Sequence, residues 1–232
     1  MPTRASNQSP FFPAGIPGIT DSTVFTLPAG NMSVNRMISE AGGLGFDNIV
    51  AIGQKWSPAR TPGTPHVIEG ILVRDRQVRA VVRAARDAAN GQALLIVNAG
   101  DNGFNRAVLQ VKGVHIIRHL HKTEKNSFDH IIARMAADRS VAIDLDVRPL
   151  VMTRDGQRQK TIQRYRDILR LMRRFEFPVS VSSNARNPAE MKSVRELVSL
   201  LAMAGMEESE VIEGLKTPGT LLAPRGPVSV VR

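Results

Sequence analysis

The chain has no cysteine. Disulfides, thiolate nucleophiles, thiolate zinc sites and iron–sulfur clusters are therefore excluded, and the composition fits a reducing interior. Aromatic residues make up only 4%, with one Trp and one Tyr. A single-strand stacking platform, which needs exposed aromatics along a groove, is poorly supplied. No apolar run reaches about 18 residues, so no segment reads as a membrane-spanning helix. The N-terminal stretch carries Arg4 but no apolar centre of the signal-peptide kind. No GxxxxGK[ST] loop, no strand-following GxGxxG and no GxSxG elbow occurs. The glycines around Gly42 and Gly45 sit where a helix stops rather than where a phosphate is cradled. A soluble, cytoplasmic protein is the expectation.

Acid is also in short supply. Asp and Glu number 21 against 31 Lys and Arg, a formal charge of +10 over 232 residues. The apolar share of 42% is enough for a real core. The cationic excess makes a polyanion the first partner to consider, because Lys and Arg displace the counterions condensed on phosphates.

Pro2, Pro10, Pro13 and Pro17 mark residues 1–18 as a flexible lead-in. Prolines and glycines from Lys216 onward mark residues 216–232 as an irregular tail, leaving 19–215 as one domain. Within it, short β-branched runs alternate with helical periodicity. Strands are expected at 23–27, 48–52, 67–73, 93–97, 114–117, 141–147 and 178–182. Between them, Met37, Ile38 and Ala41 form one helical stripe and Val78, Val81 and Ala85 another. Residues 101–110 suit a short helix. Phe128, Ile131, Ile132, Met135 and Ala136 share a helix face that Asn126 or Ser127 can cap. A helix is expected over about 157–175, and Asn187-Pro188 reads as a helix start. Alternating βα units imply a parallel sheet. An open doubly wound sheet and a (β/α) barrel both satisfy this pattern. The count of about seven units favours an α/β, TIM-like barrel with fewer or irregular units.

Two patterns could carry chemistry. His119-Leu120-His121 has the spacing that puts two imidazoles on one side of a strand, and Asp144-Leu145-Asp146 does the same for two carboxylates. At the C-terminal mouth of a barrel these four could bind a divalent ion and activate water. The blander reading makes the histidines polar loop residues and pairs Asp146 with Arg148. Spacing alone supplies neither converging ligands nor their supporting shell, which favours the bland reading. The second pattern is charge. Nine cations and two acids lie between Arg148 and Arg174, a net +7. Arg166, Arg170, Arg173 and Arg174 fall opposite the apolar stripe of Ile162, Tyr165, Leu169 and Met172. A solvated face usually mixes signs, so contact with RNA or with an acidic protein is preferred over plain solvation. Trp56 and Phe104 read as loop residues, whereas Phe128, Tyr165 and Phe175 read as core. Recognition of phosphates and RNA shape is thus expected ahead of base stacking.

The segment from Ile116 to Gly205 carries a resemblance. It contains His119-Leu120-His121-Lys122 after a strand, Phe128-Asp129-His130-Ile131-Ile132-Ala133 opening a helix, and Val141-Ala142-Ile143-Asp144-Leu145-Asp146-Val147-Arg148-Pro149-Leu150. Arg158, Tyr165-Arg166-Asp167-Ile168-Leu169, Val179 to Ala185 and Met203-Ala204-Gly205 follow, with Leu44 to Ala51 matching upstream. This resembles the archaeal and eukaryotic ribonuclease P protein component 3 family, a (β/α) barrel related to PHP and amidohydrolase barrels. The resemblance implies a non-catalytic subunit assisting an RNA that removes the 5′ leader from precursor tRNA. Magnesium would belong to the RNA, and no independent active site or protein cofactor is expected. Implied partners are the ribonuclease P RNA, protein component 2 in a 2:2 heterotetramer, and other subunits of the particle, with no membrane. The chain departs from the family in having Asp144 for a Glu-type acid and Asn184 and Arg186 after the Ser-Ser pair. It also lacks the first-strand His-x-His of hydrolytic relatives. Lys122, Arg148, Arg154, Arg158, Lys160 and Arg186, all at or beyond expected strand ends, are the candidate phosphate contacts. A PHP-type metal-dependent phosphoesterase using His119, His121, Asp144 and Asp146, and a scaffold touching only other subunits, are the alternatives.

Overall fold

The computed structural model describes residues 18–53 and 63–222. Most of the expected 1–18 lead-in and Trp56 lie outside the described residues. In chain order the elements are β1 (Thr20–Phe25), α1 (Val34–Gly43), β2 (Asn48–Ile52), β3 (His66–Val73), α2 (Val78–Gly91), β4 (Leu94–Asn98), α3 (Asn102–Gln110) and β5 (Ile116–Arg118). Then come α4 (His130–Arg139), β6 (Ala142–Asp146), α5 (Arg148–Met152), α6 (Asp155–Phe175), β7 (Val179–Ser182), α7 (Val194–Ala202) and α8 (Glu208–Leu221). Among the described residues no helix is long and apolar enough to cross a membrane.

All seven strands are parallel and pair in sequence order. The sheet curls until Val24 bridges Ala185 just beyond β7, where Phe25 N–H donates to Ala185 O at 2.8 Å. The result is a nearly closed (β/α) barrel. Side chains complete the seam. Ser22 Oγ lies 2.9 Å from Asp144 Oδ1 and 2.8 Å from Val181 O. Ser183 Oγ donates to Asp21 Oδ2, and Ser183 N–H to Asp21 Oδ1 at 3.0 Å. Helix α8 packs across β7 and β1 at this seam.

Strand alternation divides the core in two. Ile49, Leu95, Ile117, Ile143, Leu145 and Val181 face outward into the cluster shared with the helices. Val50, Ile52, Ile68, Leu94, Ile96, Ile116 and Ala142 form the apolar interior together with Phe25. The interior turns polar where β1, β6 and β7 meet, because Ser22, Ser180 and Ser182 all reach Asp144.

Several local expectations are corrected. Helix α4 is capped by Asp129, which accepts from Ile131 and Ile132 N–H, rather than by Asn126 or Ser127. A carboxylate on the residue next to the first turn outcompetes groups two or three positions away. Asn187-Pro188 opens only a single 3₁₀ turn, Pro188–Glu190. The helix proper starts after Ser193, whose reciprocal box with Glu196 satisfies two backbone donors. Phe104 is on α3 and buried. Residues 216–221 are helical rather than irregular. Pro218 sits inside α8, where burial of Val211, Leu215 and Pro218 outweighs its missing donor. Leu221 and Leu222 close against the inner apolar cluster.

Candidate nucleic-acid interface

The C-terminal strand ends converge on one polar mouth. Arg118, the last residue of β5, alternates with inward Ile116 and is fully buried. Its Nη2 lies 3.7 Å from Asp146 Oδ2 at the end of β6 and 2.6 Å from His119 Nε2. A guanidinium can only donate, so His119 Nε2 accepts and the ring is neutral. The 3.4 Å approach of His119 Nε2 to Asp146 Oδ2 is then neither an ion pair nor a hydrogen bond, and Arg118 Nη2 lies near both atoms. Asn184 Nδ2 donates to Asp146 Oδ2 at 2.7 Å. Burial alone would raise Asp146, but the charge of the adjacent Arg118 guanidinium holds its carboxyl below the ordinary range.

Strand β5 ends before the histidines. His119 takes a left-handed conformation (φ 64°) and His121 lies on a single 3₁₀ turn. The shared strand face expected for the pair therefore does not exist. The rings still meet edge to face, with centroids 5.4 Å apart. Tyr165 Oη donates to Asp146 O at 2.6 Å and lies 3.2 Å from His121 Nδ1. Burial pushes His121 down to about 4, so it is neutral at physiological pH. Asp144 is deeper, and burial raises it to about 6. Its carboxylate oxygens are taken by the three serines. Among the described residues no group of three or more His, Asp or Glu is arranged to hold a metal ion. The cation that contacts His119 and Asp146 is the Arg118 guanidinium itself.

Arg148 does not pair with Asp146 through its side chain. Its N–H donates to Asp146 Oδ1 at 2.9 Å, while its guanidinium bonds Glu190. Of the candidate phosphate contacts, Lys122, Arg148 and Arg186 gather at the mouth. Burial, then repulsion from Arg118, Arg148 and Arg186, lowers Lys122 against the pull of Asp146. Arg154, Arg158 and Lys160 lie instead at the start of α6. Arg158 Nε donates to Thr153 O at 3.0 Å, and Lys160 borders a depression beside Met203. The cationic face of α6 is partly neutralised, once from a distance in sequence and once within the helix. Arg173 pairs with Glu210 at 2.7 Å, and Arg170 with Asp167. Arg164 is nearly buried, its guanidinium reaching the carbonyls of Leu120, Glu124 and Lys125. It fixes the loop that carries His121 and Lys122.

Sequence reasoning missed Arg118, Arg164 and Arg74. Arg118 is two positions from inward Ile116, and Arg164 sits between Thr161 and Ile168 on the buried helical stripe, so both signals were present. Arg74 follows β3, at the same barrel end.

The chain and its barrel have counterparts among known proteins. Ribonuclease P protein component 3 of Methanococcoides burtonii is 29% identical over 206 residues, covering 85% of this chain and 84% of the relative. A chain of a cryo-EM structure of archaeal ribonuclease P with mature tRNA shares the fold at a TM-score of 0.70 and 18% identity, covering 88% of this chain and 89% of that one. An amidohydrolase crystal structure shares it at 0.57 and 11% identity, over 94% of this chain and 79% of its own. The family model described as RNase P subunit p30 matches residues 18–226, nearly the whole chain, and with the barrel topology it shows that this protein belongs to the RNase P subunit p30 family.

Proposed function

We propose that this chain is the component 3 subunit of an archaeal-type ribonuclease P and acts as a non-catalytic RNA-binding barrel. The observation that carries the reading is the mouth. Where hydrolytic relatives work on substrate, a buried guanidinium neutralises Asp146; Lys122 and Arg186 stand near it, and Arg74 shares the Phe25 ring with it. An electropositive rim on a rigid barrel suits phosphate recognition. The chemistry then rests with the RNA and its magnesium, and this subunit needs no cofactor of its own. The partners proposed are the ribonuclease P RNA, protein component 2 in a 2:2 heterotetramer, and the remaining protein subunits, in the cytoplasm.

Reconstitution tests this. Precursor-tRNA cleavage by the RNA with its other proteins is measured with and without this chain. A marked rise in rate at limiting magnesium on adding the chain is expected; an identical rate overturns the reading. Elemental analysis with a phosphatase assay separates the enzyme alternative. Stoichiometric metal with activity lost in Asp144→Asn would replace the proposal.

A further inference from the structure

Three guanidiniums converge on one ring at the barrel mouth. The Cζ atoms of Arg186, Arg118 and Arg74 lie 4.9, 5.7 and 5.8 Å from the centroid of Phe25, the last residue of β1. They come from three separate places: beyond β7, the end of β5 and the end of β3. Phe25 is 3% exposed, whereas Arg74 and Arg186 are exposed. Neither Arg74 nor Arg186 has a carboxylate partner among the described residues, where Glu190 takes the Arg148 guanidinium and only the backbone N–H of Arg186. Arg118 Nε and Nη1 are buried and make no hydrogen bond. Nη2 alone meets Asp146 and His119.

Such crowding is costly without an anion. One ring offers each cation a modest attraction, but like charges this close repel, and an apolar floor weakens screening. Two donors of a buried fork left unbonded add a further penalty. Backbone contacts hold the arrangement in place. Asn31 N–H donates to Arg186 O at 2.9 Å, and Gly30 N–H to Thr26 O at 2.8 Å.

We propose that Arg74, Arg118 and Arg186 over Phe25 form a socket for a single phosphate group, supplied by the backbone of the bound RNA. The fork of each arginine matches phosphate oxygens, and the Phe25 floor keeps water from one side. The inference rests on the RNA-binding reading above and adds which phosphate-binding groups act together. It predicts sharing: the arginines contact one phosphate, not one each.

Binding of the ribonuclease P RNA transcript is measured across a salt series for the full chain, Arg74→Ala, Arg186→Ala and the double variant. Arg170→Ala/Arg174→Ala on the outer face of α6 serves as control. Each single variant should lower the log–log salt slope by about one unit or less, and the double variant by no more than about one. A double variant losing about two units means two independent phosphates and overturns the socket. An unchanged slope in the double variant also overturns it while leaving RNA binding intact, and no RNA binding by the parent chain overturns the functional reading instead. In a second arm, inorganic phosphate is titrated into the parent chain against chloride at matched ionic strength. Saturable binding lost in the double variant, with the RNA slope unchanged, would assign the socket to free phosphate and overturn the RNA source. Arg118→Lys keeps the charge and removes the fork. With its melting temperature retained, it should weaken RNA affinity at a near-parental slope, and a parental affinity overturns the role of the Arg118 fork.

Discussion

Individual side chains at the mouth have unequal duties. Arg164 never faces solvent as a binding group, because Leu120, Glu124 and Lys125 carbonyls and Ser127 Oγ surround its guanidinium. Arg164→Ala is expected to destabilise the fold by about 2–3 kcal/mol, since charged donors to several buried acceptors are lost together; urea unfolding measures it. Asp21 gives a pH signature. Burial raises it from 3.8 to about 7, against the hydrogen bonds of Ser183 and Thr23 that pull it back. Between those values the folded chain keeps a proton that the unfolded chain has released, so stability falls as pH rises through the window. Asp144 acts in the same direction up to about 6. His121 acts oppositely: lowered from 6.5 to about 4, it costs stability as pH drops below 6.5, because only the unfolded chain takes up the proton. Above pH 6.5 only the Asp21 slope remains of these three. Denaturation midpoints at pH 6.5 and 8 should differ in the parent and much less in Asp21→Asn; equal differences would reject this account. Gly30 is a steric case. A Cβ there would run into the Phe25 carbonyl, 2.6 Å from its carbon. Gly30→Ala should therefore lower thermal stability and weaken RNA binding through displacement of Arg186.

At the scale of elements, helix ends decide more than helix centres. Gln92, Ser140 and Glu176 each end a helix in the left-handed region, with φ of 54°, 50° and 57°. Each sits just ahead of the next strand, where only glycine avoids Cβ strain. Glu176→Gly is expected to raise stability by about 0.5–1 kcal/mol, read as a higher melting temperature. Ser193→Ala should cost about 1 kcal/mol by removing the cap of α7. Strands β2 and β4 were legible as runs apolar on both faces, whereas β6 and β7 were legible because outward apolar residues alternate with inward Asp or Ser. Helix α8 was not. Its proline and glycines carry the local signature of a tail, and only burial of Pro218 and Gly219 against the barrel reverses it. The start of α7 misled in the opposite way, since Asn187 and Pro188 have the residue types of a helix start, yet the Asn187 side chain makes no capping bond and only one 3₁₀ turn follows. Of the site, Asp146 and His119 were legible from the Asp-x-Asp and His-x-His spacings near strand ends, and Lys122 from its place beyond one. The partners of Arg148 and Arg173 were not, because Glu190 and Glu210 approach from 42 and 37 residues away.

Considered whole, the barrel is assembled almost entirely from sequence neighbours. Each strand pairs with the next, so contacts accumulate locally along the chain. The exception is the junction between its first and last strands, where Asp21 and Ser183 meet across 162 positions. That contact must pay the largest loop-closure entropy in the sheet, and it cannot form until the intervening units stand. Disturbing it by Ser183→Ala should leave the refolding rate nearly unchanged and quicken unfolding, a pattern stopped-flow chevrons resolve. The same junction sets the span of the arginine trio, since Arg186 stands just past it and Arg74 and Arg118 stand on the opposite wall. Loosening that one stitch would spread the three cations apart before any helix melts. Affinity for a polyanion would thus report the integrity of the ring's circumference and fail earlier on heating than the circular-dichroism signal.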